Sequence, residues 1–210
     1  METIHDVKPR ELSDSMVVFA PFDKAKRKLE KLGYSVISLE ENARLRIQEG
    51  KNSYVSRNGN WVREEFQYNP KTNLRYLTKD SQIMKNPTKA TNAHRKGIEY
   101  FITEKQLSSD SVQVVDREIP TNRFGEDPLT IYAFGETAEK YGLFLKDEQN
   151  ITNMPIWLPN KMSEKPYSMS VCFGDVGSRS DFDGSDWALR CAAGLRGVVR
   201  LQKSSTGNQG

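Results

Sequence analysis

Acidic side chains are concentrated near the C-terminus, in the segment Asp181-Phe182-Asp183-Gly184-Ser185-Asp186. Carboxylates this close in sequence could bind Ca²⁺, which prefers several oxygen ligands held together. The spacing does not match the EF-hand loop, because Ala192 stands where that loop requires a bidentate glutamate. A solvated acidic turn is the simpler interpretation. A metal-dependent sugar-binding or enzymatic site stays as the alternative.

Other residues able to do chemistry are few. The sequence contains two cysteines, Cys172 and Cys191, and two histidines, His5 and His94. No histidine stands near either cysteine in the sequence, so a thiol catalytic pair is not indicated, and a lone His94 does not make a metal site. We therefore expect a protein that is not an enzyme and needs no cofactor. Without an export signal, two reduced thiols are favoured over a disulfide.

The acidic segment lies within a longer stretch, residues 167–200, that begins and ends with the pattern of a strand. The residues between are too polar to form a core and too rich in aromatic and charged groups to be a linker. Two strands that hold out a long, chemically mixed loop are typical of a binding face. We expect this face to display Asp175, Ser178, Arg179, Asp181, Phe182, Asp183, Ser185, Asp186, Trp187 and Arg190.

Two aromatic residues of this loop receive separate predictions. Phe182 is expected to be exposed, because an aspartate flanks it on each side. Trp187 fits equally well as an exposed anchor for a partner and as a core residue beneath the loop.

Composition and charge exclude several classes of protein. The 210 residues (24.0 kDa) suit one domain, and 31 basic against 28 acidic residues give a formal charge of only +3. Nucleic-acid binders usually carry a larger excess. The single tight basic cluster, Lys24-Ala25-Lys26-Arg27-Lys28, is expected on the solvated side of a helix, and a nucleic-acid-associated accessory protein stays as a further alternative.

Hydropathy argues against membrane insertion and export. No stretch is apolar for long enough to predict a membrane span, and the N-terminus lacks the apolar centre of a signal peptide. We therefore expect a cytoplasmic or virion-associated protein.

In the first half of the chain, short helices and strands must support the loop. The pattern predicts a strand at 16–19, a helix capped by Asp23 with Ala25, Leu29 and Leu32 on its inner side, a strand at 34–39 and a helix at 40–49. Asn58-Gly59 between the β-prone runs 53–56 and 61–64 predicts a hairpin. Further strands are expected at 66–68 and 74–77, joined by an Asn-Pro turn.

In the second half, strands are expected at 98–103 and 112–115. A helix capped by Asp127, with Pro128 at its first position, is predicted through about residue 147. Together these elements predict an α+β fold with antiparallel strands. We assign one domain to residues 1–203, although 1–120 carry no independent match, and expect residues 204–210 to form a mobile tail.

The C-terminal third resembles the end of a C-type-lectin-type fold. In that fold a helix precedes a long irregular region with the binding loops, and the chain returns in a terminal strand, here Arg196-Gly197-Val198-Val199-Arg200. More narrowly, residues 125–200 resemble the variable proteins of diversity-generating retroelements.

The resemblance implies a C-type-lectin-like fold and a hypervariable surface, residues 172–196, that binds a ligand without chemistry. A loop face this broad suits a macromolecule, and we expect a protein. Sulfatase-activating oxidases share this type of fold and need active-site cysteines, but the distance of both histidines from Cys172 and Cys191 disfavours that chemistry here. The target and the oligomeric state stay open.

Overall fold

The computed structural model describes residues 1–10, 13–175, 177, 179–184, 189–191 and 193–200, and of residues 4–10, 13, 14, 199 and 200 only the backbone. The strands are β1 Glu2–Arg10, β2 Ser13–Phe19, β3 Ser35–Val36, β4 Asn60–Asn69, β5 Leu74–Thr78, β6 Tyr100–Phe101, β7 Ser111–Val114, β8 Arg117–Pro120, β9 Asn153–Trp157, β10 Tyr167–Phe173, β11 Phe182–Asp183 and β12 Gly194–Arg200. The helices are α1 Phe22–Lys31, α2 Leu39–Glu49, α3 Tyr54–Arg57, α4 Gln82–Lys85, α5 Pro87–Arg95, α6 Pro128–Phe134 and α7 Ala138–Leu143.

The strands join into one branched sheet, which agrees with the α+β prediction. Its main path runs β1-β2-β12-β4-β10-β11-β9-β8, and β3, β5, β6 and β7 pair alongside it. Most neighbouring strands are antiparallel, whereas β11 runs parallel to β9, and β12 meets β4 in parallel at a single pair. The last strand therefore lies inside the sheet, between β2 and β4.

Each face of the sheet carries its own hydrophobic cluster. The larger cluster packs α2, α6 and α7 against the inward residues of β4 and β10, such as Phe66 and Phe173. The smaller cluster packs α1, α4 and α5 against the other face, with Trp61 and Leu195 at its centre. Because side chains alternate along a strand, Trp61 and its neighbour Val62 belong to opposite clusters.

Several predicted elements agree with the structure. The strand at 16–19 is part of β2, and the helix at 40–49 is α2, which begins with a capping box between Ser38 and Glu41. The turn at 70–73 joins β4 to β5, and Asp127 caps α6 by accepting hydrogen bonds from the backbone N–H groups of Leu129 and Thr130. In each case the signal was local to the element.

The predicted hairpin around Asn58-Gly59 is wrong. Ser53 caps a short helix, α3, by accepting a hydrogen bond from Ser56 N, so the run 53–56 is not a strand. A Cβ on Gly59 would lie 3.2 Å from Phe173 O and 3.3 Å from Gly174 Cα. Gly59 therefore allows two backbones to approach closely, rather than forming a tight turn.

Other elements are shorter or shifted. The strand predicted at 98–103 is reduced to Tyr100–Phe101, and the strand predicted at 34–39 to Ser35–Val36. The long helix from Asp127 breaks at Gly135, whose φ of +55° lies outside the helical range, and continues as α7 and a π-helical turn, Phe144–Glu148. Pro21, rather than Asp23, precedes α1.

Three further expectations concern Leu32, the chain end and membrane spans. Leu32, predicted on the inner side of α1, is 43% exposed. The predicted tail 204–210 lies outside the described residues. Within the described part of the chain, none of the helices combines the length and the apolar character that crossing a membrane requires.

Candidate ligand-binding surface

The chain leaves β10 and returns as β11 through a turn that closes on itself, of which residues 174, 175, 177 and 179–181 are described. Gly174 N donates to Asp181 O at 2.9 Å, and Ser180 N donates to Asp175 O at 2.8 Å. Arg179 and Ser180 both have left-handed backbone angles, with φ of 63° and 57°. Residues other than glycine adopt this conformation in succession only where surrounding contacts compensate for it.

Those contacts come from a buried polar group beneath the turn, which we call the anchor cluster: Arg46, Tyr141 and Ser180. Arg46 Nη1 donates to Tyr141 Oη at 3.1 Å and to Ser180 Oγ at 3.2 Å, and Tyr141 Oη donates to Ser180 Oγ at 3.0 Å. All three residues are fully buried. Helices far away in sequence thus fix the position of the turn.

Arg46 is itself firmly placed within α2. Its Nε donates to Val55 O at 3.1 Å, and its guanidinium carbon lies 4.0 Å from the centre of the Phe173 ring. A planar, delocalised cation on an aromatic face is a favourable arrangement for a buried guanidinium. The start of α2 is held from the sheet, because Glu64 Oε2 accepts a hydrogen bond from Leu39 N at 3.0 Å.

On the face of the sheet that carries α1 and α5, the ends of several strands enclose a recess of about 460 Å³. We call it the loop recess. Its described lining consists of Phe19, Gly59, Asn60, Trp61, Cys172, Gly174, Asp175, Asp181, Asp183, Ala193 and Gly194. Aromatic and small apolar residues thus form one part of the wall, and three carboxylates form another. Its volume falls in the usual range of ligand sites.

The loop recess is electronegative. Its described lining includes three aspartates and no lysine, arginine or histidine. Burial, together with Asp183, Asp181 and Asp175, raises the pKa of the Cys172 thiol to about 12, although Arg46 acts in the opposite direction. Cys172 is therefore protonated and a poor nucleophile at neutral pH. Both Cys172 and the exposed Cys191 are free thiols in the structure.

The far end of the loop is attached to the helices on the same face. Leu189 is fully buried, its carbonyl accepts a hydrogen bond from Phe22 N at 2.8 Å, and its N–H donates to His94 Nδ1 at 3.2 Å. His94, half-buried on α5, therefore holds the backbone of Leu189 in place. The ends of the loop are tied to both sides of the sheet.

Apart from Phe182, the predicted binding residues separate into three groups. Asp175, Asp181 and Asp183 line the loop recess, whereas Arg179 and Arg190 are exposed, and Arg179 Nη1 donates to Glu118 Oε1 at 2.7 Å. The remaining predicted binding residues, Ser178, Ser185, Asp186 and Trp187, lie outside the described residues.

The prediction of an exposed Phe182 is wrong. Its side chain is fully buried, with ring centres 5.4 Å from Phe134 and 5.7 Å from Phe173. Strand alternation explains the result, since β11 turns Phe182 into the core and Asp183 towards the recess.

The sequence missed the part of the site that lies outside the loop. Phe19 and Trp61 come from segments predicted as strands, Asn60 from the predicted hairpin turn and Arg46 from the predicted helix at 40–49, and none of them was predicted to bind. No local pattern marks these residues, because their role depends on the pairing of β4 and β12 beside β10.

A metal site was the alternative for the acidic segment. Among the described residues, no three His, Cys, Asp or Glu side chains come together in a way that could hold a metal ion.

The basic cluster of α1 lies along the outer side of an amphipathic helix, with Lys24 and Arg27 exposed and Ala25 buried.

Comparison with known proteins supports the fold more than a family. No family model and no curated protein matches the chain. A solved structure from Nanoarchaeota, described as the accommodation of massive sequence variation by the C-type lectin fold, is similar with a TM-score of 0.67 and 17% identity. The match covers 91% of this chain and 99% of that one. The chain therefore has the C-type lectin fold.

Proposed function

We propose that this chain is a ligand-binding protein that recognises a protein target through a diversified C-terminal loop surface, without catalysing a reaction. The class of protein that fits is the variable protein of a diversity-generating retroelement. The similar structure from Nanoarchaeota is itself described by massive sequence variation on this fold.

The observation that carries the proposal is that the described loop residues separate into buried side chains, which hold the backbone, and side chains that face outward. Ser180 and Phe182 are fully buried and hold the backbone, whereas Asp175, Arg179 and Asp183 are half-buried or exposed. Because the turn is held by α2 and α7, its outward side chains can be replaced at little cost to the fold. A surface that tolerates replacement is what a diversified binding protein needs.

Recognition by such a surface depends on complementarity. Aromatic and small apolar groups of the loop recess supply area to bury, while Asp175, Asp183 and Arg190 supply orientation and charge selectivity. The protonated state of Cys172 is consistent with binding in the absence of thiol chemistry.

The proposal is tested by sequencing this locus across many individuals of one source population. We expect substitutions at the codons of Asp175, Arg179, Asp183 and Arg190, chiefly at adenines, with a near-copy template and a reverse transcriptase gene nearby. Codons of the buried residues Phe173, Ser180, Phe182 and Leu195 serve as the internal control and are expected to stay constant. Equal variation in both sets, or none in either, would overturn the proposal.

A further inference from the structure

One row of side chains crosses the sheet at the loop recess. Cys172 of β10 pairs with Trp61 of β4 on one side and with Asp183 of β11 on the other, and Asp183 pairs in turn with Trp157 of β9. Paired residues on adjacent strands point to the same face, and adjacent strands lie about 4.8 Å apart. Trp157 is therefore the direct neighbour of Asp183.

The preceding residues of the same two strands confirm the direction in which the Asp183 and Trp157 side chains point. Phe182 and Ile156, which pair with each other in the adjacent register, are both buried in the larger cluster. Their successors, Asp183 and Trp157, consequently point away from that cluster. The backbones are also joined here, because Gly184 N donates to Trp157 O at 2.9 Å.

Trp157 differs from Trp61 in its exposure. Trp61 is 1% exposed and packs edge-on against Phe22, whereas Trp157 is 52% exposed and makes no aromatic ring contact with the described residues. Exposed tryptophan beside a recess is costly in water and is typical of the residues that dominate protein interfaces. Trp157 also lies outside residues 172–196, so diversification of that segment would leave it unchanged.

The charge beside Trp157 indicates which kind of partner side chain this tryptophan would contact. Asp183 is its neighbour in the row, and Asp175 and Asp181 line the adjoining recess, whose described lining carries no basic side chain. The nearby Arg179 is already paired with Glu118 at 2.7 Å. A cation gains both from carboxylates and from the face of an indole ring, and arginine is the side chain that most often uses the two together.

We propose, building on the function proposed above, that Trp157 is a constant aromatic anchor of the binding surface and that, with Asp183, it takes an arginine or lysine side chain of a protein partner. The aliphatic part and the charged group of that side chain lie against the indole, and the charge faces the aspartates. The anchor comes from β9, and the charge preference comes from the loop.

The test uses the full chain, labelled with ¹⁵N, and the peptide acetyl-Gly-Arg-Gly-amide as the probe. The matched peptide with citrulline, which keeps the shape of arginine and removes its charge, is the control. We expect the arginine peptide to shift the Trp157 indole signal, assigned with Trp157→Phe, and the Asp183 amide signal saturably at millimolar concentrations. Citrulline is expected to shift them far less.

Variants separate the anchor from general effects of truncation. Trp157→Ala is expected to weaken binding, followed at the Asp183 amide, by about threefold to thirtyfold. Asp183→Asn is expected to weaken it as well. Leu143→Ala, which truncates a residue that is 47% exposed on α7, is the matched control and should leave binding unchanged.

Two results would overturn the inference. One is an equal response to the arginine and citrulline peptides, and the other is an equal affinity of Trp157→Ala and Leu143→Ala. Either result together with a diversified locus would leave the proposed function standing. Trp157-dependent arginine binding at a locus without sequence variation would instead support the anchor and contradict the proposed diversification.

Discussion

Two turns of the same sheet are built in opposite ways. The turn from β4 to β5 is held mainly by its own residues and their strand neighbours, because Asn69 Oδ1 accepts a hydrogen bond from Lys71 N at 3.0 Å and Tyr68 Oη donates to Asn73 Oδ1 at 3.0 Å. Its ion pair with a distant residue, Lys71–Glu104, is exposed on both sides and contributes little. The turn from β10 to β11 closes with its own backbone hydrogen bonds, but its side-chain contacts come from outside, because Ser180 bonds to Arg46 and Tyr141, which are 134 and 39 residues away in sequence.

The difference shows what each turn can tolerate. In the β4–β5 turn the conformation depends on the turn residues, so changing them changes the turn. In the β10–β11 turn the scaffold sets the conformation, so only the inward residues are constrained. A binding surface that must vary belongs on the second kind of turn.

Removing the inward aromatic residue should give the largest effect. Phe182→Ala leaves a cavity between Phe134 and Phe173, and we expect the free energy of unfolding to fall by about 3–5 kcal/mol in urea titrations. Asp183 is the next residue and is half-buried, so Asp183→Ala should change the free energy of unfolding by less than about 1 kcal/mol. Similar losses in both variants would show that the turn is not divided into inward and outward sides.

The scaffold that supports the second turn should also respond to pH. Glu64 holds the start of α2, it is 1% exposed, and burial raises its pKa to about 7 from an ordinary value of 4.5. Because the folded chain holds this proton more tightly than the unfolded chain, the group's contribution to stability is complete below pH 4.5 and is lost as the pH rises through 7.

We expect this loss to reach about 3 kcal/mol in the wild-type protein, from the size of the pKa difference. Glu64→Gln removes the proton equilibrium, so its free energy of unfolding should fall less between pH 4.5 and 8. Glu126→Gln, in which a side chain that is 70% exposed is neutralised, serves as the control and should follow the wild type. A Glu64→Gln profile parallel to the wild type would contradict this assignment.

A smaller effect is expected from the anchor cluster itself. Ser180→Ala removes the oxygen that accepts hydrogen bonds from Arg46 and Tyr141 and leaves both donors buried, which should cost about 1–3 kcal/mol. The exchange rate of the Gly174 amide, which bonds across the turn, should increase. The amides of β5 should keep their hydrogen-exchange rates if the effect is confined to the β10–β11 turn.

The matched change in the first turn is Asn73→Gly. Glycine adopts the φ of 56° at this position without strain, and the change removes one half-exposed hydrogen bond, so we expect a loss of less than about 1 kcal/mol. Faster exchange of Gly174 in this variant would show that the two turns are coupled.

The same contrast explains how much the sequence predicted. The turn at 70–73 and the helix at 40–49 were predicted because their turn residues and their apolar residues are neighbours in the chain. Arg46 was missed because a charged residue on a helix is normally exposed, and only the approach of α7 and the β10–β11 turn makes it a buried donor.

Two errors came from local signals that the tertiary structure overrode. Flanking aspartates suggested an exposed Phe182, but the pairing of β11 with β10 and β9 determined which side faced the core. Asn58-Gly59 suggested a hairpin, but the close approach of residues 173–175 accounts for the glycine. Asp175, Asp181 and Asp183, which were predicted to lie on the loop face, line the recess, whereas the parts of the recess contributed by β2 and β4 were not foreseen.

The central place of β12 has a consequence for how the chain is made. This strand is translated last among the described elements, yet it pairs along its whole length with β2, one of the first. The sheet can therefore close only when residues 194–200 have left the ribosome, and such distant pairing is slow. A premature stop or frameshift within residues 174–193 removes the strand that joins the two ends of the sheet, so faulty copies are expected to fail at folding before they can bind anything.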